Sequence, residues 1–313
     1  MKKLAVVLIC IISISCKKAD KMHADSSAVS DFPLYSIKEI NAGSDTLVAC
    51  GGSRYYRGDI YFSYDDGNSW WAQKGVADKA LYDLTVINDS MIYAVGYDGK
   101  LLLSKDFGYT WYLKQLDYIP LRRVRVIYDR VFICGGDGLR RGIIYQCSLD
   151  GDVIQRDTFL NELSDILLAP DSTIKACGYG IVLSSSNKGK TWVDEDAGGD
   201  FFINFIQTTD LFACGMSGTI LQYNRGQWIK RCGGNSVFHN NLHLTGMAYN
   251  FQNEKWISVG KSNVIIKVSD NGSEQTRIKL NDNQRFNFNN ICAHGNSFLL
   301  CTDEGYVVNL TGF

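Results

Sequence analysis

The chain has 313 residues, with 32 Lys and Arg against 33 Asp and Glu and a formal net charge of -1. That balance implies no nucleic acid and no acidic surface as partner. Hydrophobic residues make up 45%, with 30 Gly and only 3 Pro, and short alternating apolar runs between Gly-rich turns argue an all-β chain long enough for a large core.

Met1-Lys2-Lys3 is a basic start, and Leu4 to Ile14 is an apolar run too short to span a bilayer as a helix. It ends in Ile12-Ser13-Ile14-Ser15-Cys16, which resembles a bacterial lipobox. The resemblance implies a signal peptide over 1–15, cleavage before Cys16, and acyl chains such as palmitate on that Cys. An ordinary signal peptide with an incidental Cys is the alternative. Residues 16–32 are polar and read as a tether, leaving 33–313 as the folded body.

An apolar strand ending in Gly, followed by a second apolar strand, recurs through the body. The copies start at Thr46, Ile92, Val131, Ile174, Leu211, Trp256 and Phe298. Their spacing of roughly 40 residues is that of a four-stranded propeller blade, so the expectation is a seven-bladed β-propeller of four-stranded antiparallel blades. In one repeat all four strands can be read: A over 81–88, B over 91–97, C over 100–105 and D over 110–115. Strand A lines the central channel and D is outermost. The last repeat shows three clear strands before Phe313, and the residues before Phe32 look too polar to supply the fourth with assurance.

A second signature follows strand C. It reads Ser63-Tyr64-Asp65-Asp66-Gly67-Asn68-Ser69-Trp70, then Ser104-Lys105-Asp106-Phe107-Gly108-Tyr109-Thr110-Trp111, then Ser185-Ser186-Asn187-Lys188-Gly189-Lys190-Thr191-Trp192. Degenerate copies stand at Ser148–Gly151, Tyr223–Trp228 and Ser269–Gly272. Each is expected to be a structural hairpin turn. Gly67, Gly108 and Gly189 take φ > 0, Asp65, Asp106 and Asn187 bond backbone N–H groups, and Trp70, Trp111 and Trp192 pack beneath. Asp45-Thr46-Leu47 and Asp89-Ser90-Met91 read first as turns, with short O-glycosylation sites as the alternative.

These repeats resemble the Asp boxes of bacterial sialidases and other Asp-box propellers. The seven-blade count and the Gly spacing look most like the photosystem II assembly-factor-like propeller family, over residues 33–313. The resemblance implies the fold and says little about activity. A sialidase needs an Arg triad, a Tyr nucleophile backed by Glu, an Asp acid/base and an early Arg-Ile-Pro-like motif. Here Phe32-Pro33-Leu34 has no Arg, and Tyr118-Ile119-Pro120 has the wrong order. No catalytic residue, cofactor or metal site is assigned.

The binding candidates are Arg-rich. Arg123 and Arg125 alternate onto one face of an inner strand, with Arg123 level with Asp83, Asp165, Asn204, Thr245 and Asn290. Two readings stand: polar residues satisfying one another in a wet channel, or an anion- or protein-binding mouth. Two long B–C loops reach the same mouth. One carries Arg54, Tyr55 and Arg57, the other Arg140 and Arg141. The loop at 232–239 also lies there without an assigned role.

Eight cysteines remain beyond Cys16. Cys50, Cys134, Cys177, Cys214 and Cys301 hold one repeat position, so they are expected as small buried hydrophobes rather than disulfide partners. The expectation as a whole is a lipid-anchored binding or scaffold module of the bacterial envelope, at the outer membrane, with a protein or glycan partner and membrane contact through the anchor alone. A sialidase-like glycosidase is the alternative.

Overall fold

The computed structural model describes residues 21–41, 44–197, 202–207, 210–233, 242–269, 275–280 and 285–312. Seven sheets follow one another around a ring. Blade 2 shows the pattern: strand A is Leu81–Ile87, B is Met91–Gly96, C is Lys100–Ser104 and D is Tyr112–Gln115. The inner strands of the other blades are Leu34–Glu39, Leu121–Ile127, Leu163–Leu168, Phe202–Gln207, Leu244–Asn250 and Phe288–His294.

The core lies between neighbouring blades, because each sheet buries both of its faces. Strand B of blade 3, Arg130–Asp137, shows how alternation produces this. Val131 and Ile133 pack toward Tyr93, Val95 and Leu101 of blade 2, while Phe132 and Cys134 pack toward Leu163 and Ile166 of blade 4. Each such buried apolar side chain contributes about 1.5–3 kcal/mol. This is why strands B and C read as continuous apolar runs rather than as an apolar–polar alternation.

The chain closes the ring with its own beginning. Strand Lys21–Ala28 pairs antiparallel with Tyr306–Thr311, with His23 opposite Thr311 and Ala28 opposite Tyr306. It is the fourth strand of blade 7. The tether expected over 16–32 is therefore corrected from Lys21 onward: these mostly polar residues form a strand on the outer side of the blade, where most of the described side chains are partly or fully exposed and a polar sequence carries no penalty. Met22 turns in, fully buried beside Ile257, Phe286 and Phe298, and Ala24 packs partly against the same cluster. Blade 7 also departs from the four-stranded expectation. Lys279–Leu280 adds a short fifth strand, parallel to Lys21–Ala28.

The three full turn motifs adopt one geometry. Gly67, Gly108 and Gly189 have φ of 83°, 86° and 80°. In blade 2 the Ser104 hydroxyl accepts the Gly108 N–H at 2.7 Å and donates to Asp106 at 2.8 Å. Asp106 then accepts the Thr110 N–H at 2.8 Å. The other two motifs repeat these contacts, with Ser69 N–H to Asp65 at 2.9 Å and Thr191 N–H to Asn187 at 3.0 Å. The hydroxyl of Thr110 holds the Asp106 carboxyl below the usual carboxylate range, and that of Ser69 does the same for Asp65. Trp70 donates to Gly67 O at 3.0 Å, whereas Trp111 donates to Gln73 and Trp192 to Asp157, each tying a turn to the preceding blade. The degenerate turn at Ser269–Gly272 lies largely outside the described residues.

Hydrogen bonds between loops define the two ends of the ring. Phe107 N–H donates to Ser90 O and Asp66 N–H to Asp45 O, so the A–B and C–D turns share one end. Leu116 N–H donates to Gly99 O and Tyr97 N–H to Ala80 O, which joins the B–C and D–A connections at the other. The second end carries the mouth of the channel.

Candidate functional site: the mouth of the channel

Every inner strand makes the same irregular pairing near its start. Register shifts fall between Leu34 and Ser36, Leu81 and Asp83, Leu121 and Arg123, Leu163 and Asp165, Phe202 and Asn204, Leu244 and Gly246, and Phe288 and Asn290. Each shift leaves one residue unpaired in a β-bulge, and a bulge re-aims a side chain. The bulged residues Tyr35, Tyr82, Arg122, Ser164, Thr245 and Asn289 all line a cavity of about 400 Å³ at the channel mouth, joined by Arg54, Tyr179 and Lys261 from the loops.

The repeated Gly at the end of strand B is the other half of this device. A Cβ on Gly51, Gly96 or Gly135 would stand 2.1–2.2 Å from the carbonyl oxygen of Pro33, Ala80 or Pro120. The inner strand rests on bare backbone there, and the next residue donates to the same carbonyl at 2.9 Å. These glycines are needed for close approach of two strands.

Below the bulges lies the ring read from the sequence. Its members face the Cys position of strand B: Ser36, Asp83, Arg123, Asp165, Asn204, Gly246 and Asn290. Thr245 was expected at this level, but the blade 6 bulge moves it up to the mouth and puts Gly246 in its place. The Thr245 hydroxyl bonds Phe288 O at 2.8 Å.

Arg123 and Arg125 do not form an open anion site. Arg123 is buried, with Nε 2.9 Å from Asp165 and Nη1 3.5 Å from Asp83. Arg125 Nη1 donates to Asp83 at 2.7 Å. Asp83 also accepts Ser36 Oγ at 2.8 Å and Val124 N–H at 3.1 Å, and Asp165 accepts Phe205 N–H at 3.0 Å. Burial pushes the Asp83 carboxyl up, but Arg125, Arg123 and Lys38 together bring it down to about 2. Lys38, on the same channel face, is itself lowered by burial and by Arg125. The mutual-pairing alternative describes these residues, because a buried guanidinium beside a half-buried one requires carboxylate partners.

The loop arginines divide. Arg57 pairs with Asp59 at 2.9 Å and lies over Phe32, in a separate small cleft with Ser30 and Lys74. Arg141 contacts Asp117 at 3.3 Å, a carboxylate already shared with Arg156 and Tyr145. Arg140 is exposed, with Asp137 at 3.9 Å. Arg54 has no carboxylate partner among the described residues. It reaches into the mouth over the Tyr97 ring at 5.6 Å. The expected six-Arg basic patch therefore reduces to Arg54 at the cavity and Arg140 on the rim.

Around Arg54 the wall is aromatic, a feature the sequence reading missed. Tyr35 and Tyr82 meet edge to face at 4.9 Å, Tyr82 and Tyr97 at 6.4 Å, and Tyr97 and Tyr55 at 5.4 Å. Arg122 lies over Tyr82 at 5.0 Å and pairs with Glu162 at 2.5 Å. Burial pushes the Tyr35 phenol up to about 12. Outside this wall the same side of the ring exposes Tyr56, Tyr118, Leu139 and Leu160, each more than 65% accessible. The signal that could have found the wall was in the repeats: one residue stands between an apolar residue and the ring residue in each inner strand. The loop residues 234–239 lie outside the described residues.

The eight cysteines beyond Cys16 are free thiols, and those at the repeat position face the channel ring from strand B, fully buried. Burial pushes the thiols of Cys50, Cys134 and Cys177 well up.

No protein-family model matches the chain, and no curated protein matches it. Solved structures share its fold. YCF48 bound to D1 peptide superposes with a TM-score of 0.71 at 12% identity, covering 95% of this chain and 100% of that one. The WD40 β-propeller domain of Doa1 gives 0.72 at 10%, covering 95% and 98%. The extracellular domain of a putative one-component system from B. thetaiotaomicron gives 0.70 at 14%, covering 93% of this chain and 40% of that one. At such identities the likeness shows the architecture alone: the chain is a seven-bladed β-propeller of antiparallel sheets, with a bulge-built mouth at one end of its channel.

Proposed function

We propose that this propeller is a binding module of the bacterial envelope, that its turn motifs are Asp boxes, and that Cys16 carries the lipid that anchors it. The mouth takes an extended segment of a partner protein bearing a carboxylate. One observation carries this reading: Arg54 stands at the cavity over Tyr97 without a carboxylate of its own, beside a wall of tyrosines. A guanidinium so placed suits bidentate capture of a carboxylate, and Tyr and Arg are the residues that dominate contact surfaces. The exposed Tyr56, Tyr118 and Leu139 supply apolar area for the rest of a segment. The solved YCF48 structure holds a peptide, which agrees with a peptide-binding use of this architecture.

The second reading is a glycosidase. Its general acid needs a raised pKa and a second carboxyl at a set distance. Asp83, the deepest carboxylate with a resolved shift, is pushed the other way by its arginines. This favours binding over hydrolysis. The test is in-cell photo-crosslinking from position 56 in the wild type and in Arg54→Glu. A partner captured by the wild type and lost in the variant at unchanged melting temperature supports the reading. Equal capture in both removes Arg54 from the site, and turnover of a chromogenic glycoside by wild type would overturn it in favour of the enzyme.

A further inference from the structure

Strand Lys21–Ala28 settles where the chain enters the propeller. Its first residues lie opposite Thr311, the last residue of strand C of blade 7, and its last residues lead to Val29, whose N–H bonds Gly305 O in a B–C turn. The strand therefore begins at the end of the ring that carries the A–B and C–D turns and runs toward the mouth. Met22 is buried in the core between blades 6 and 7, so this entry point does not peel away freely.

Four residues separate Cys16 from Lys21. However they are arranged, five virtual bonds span at most about 18 Å. We infer that the turn-bearing end of the propeller lies against the lipid headgroups and that the mouth faces away from the membrane. The inference rests on the proposed Cys16 anchor and not on the role of Arg54.

The surface at that end fits a headgroup layer. Tyr64 and Phe251 are exposed at 58% and 70%, and each belongs to a turn joined to the A–B turn of blade 7. Asp66, beside Tyr64, contacts His294 at 2.9 Å, and Asn253, near Phe251, donates to Asn296 O at 3.1 Å. The two rings thus stand on turns to either side of the blade 7 A–B turn, at the end of the ring where the chain enters, and Tyr109, 82% exposed, extends the same surface into blade 2. Aromatic side chains of this kind favour the interface between apolar chains and water.

The test uses the protein purified from membranes and reconstituted in phosphatidylcholine–phosphatidylglycerol vesicles containing headgroup-nitroxide lipid. A coumarin amino acid replaces Tyr109 in one preparation and Tyr56, at the mouth end, in another. Quenching several-fold stronger at 109 than at 56, abolished at both by Cys16→Ser, is the expected result. Equal quenching at the two positions, stronger quenching at 56, or none at 109 while the protein stays on the vesicles would overturn the orientation. An unacylated Cys16 by mass spectrometry would remove its basis. Neither outcome touches the Arg54 experiment, which reads partner capture.

Discussion

The Asp83 carboxylate of blade 2 accepts the backbone N–H of Val124 in blade 3 at 3.1 Å. Two blades on, Asp165 does the same for Phe205 in blade 5. The ring carboxylates are therefore staples between neighbouring inner strands, and the arginines are their counter-charges. Asp83→Ala leaves Arg125 without its closest carboxylate and Val124 N–H without an acceptor. A loss on the order of 3–5 kcal/mol follows from breaking a buried pair, measured by urea unfolding. A change under about 1 kcal/mol would remove Asp83 from this role.

The same residue sets an acid limb. Its folded-state pKa lies near 2, below the ordinary value of 3.8, so the unfolded chain binds the extra proton between these values. Its stabilisation is present above pH 4 and is lost as pH falls toward 2, on the order of 2 kcal/mol. Unfolding free energy measured from pH 5 to pH 2 should fall more steeply in the wild type than in Asp83→Asn.

In the turns, Gly108 is the sensitive position. A Cβ there would come 2.6 Å from the Phe62 ring at φ of 86°, so Gly108→Ala should cost about 1–3 kcal/mol by crowding and backbone strain. Asp106→Ala should lower the melting temperature less. The Thr110 N–H that Asp106 accepts is exposed, so water can replace the lost carboxylate. Calorimetry on the two variants tests the order.

Ring closure through the first strand predicts a core effect from an outer strand. Met22→Ala should destabilise by roughly 2–5 kcal/mol, as for a buried Met, although its neighbours His23 and Asp25 are exposed. Ala substitution at Asp25 is the control and should leave the unfolding midpoint near wild type.

The blade count was legible because each repeat places its apolar residues in the same pattern and three of them mark a turn with the same Gly and Trp. Most ring residues were also legible from alternation; Ser36 was not named and Thr245 was placed one level too deep. Alternation failed one residue higher, where the bulge breaks the period of two. That is why Tyr35, Tyr82 and Arg122 were not read as mouth residues, although Gly51, Gly96 and Gly135 marked where backbone meets backbone. The arginine cluster was misleading for a different reason. A sequence shows charge but not its counter-charge, and Asp83 and Asp165 stand some 40 residues to either side of Arg123. The closing strand was hidden because an outer strand buries almost none of its side chains.

That closing strand has a consequence for how the protein is made. Lys21–Ala28 is synthesised first, yet its partner Tyr306–Thr311 is nearly the last segment to appear. Until then both are unpaired edges, and Val307, Val308 and Leu310 lack the cover they have in the finished ring. This pairing has the longest sequence separation among the described strand pairs, so it forms late, a slow step that leaves a β-edge open to other chains. A chain closed in this way has to be kept from pairing with its neighbours until its last few residues arrive.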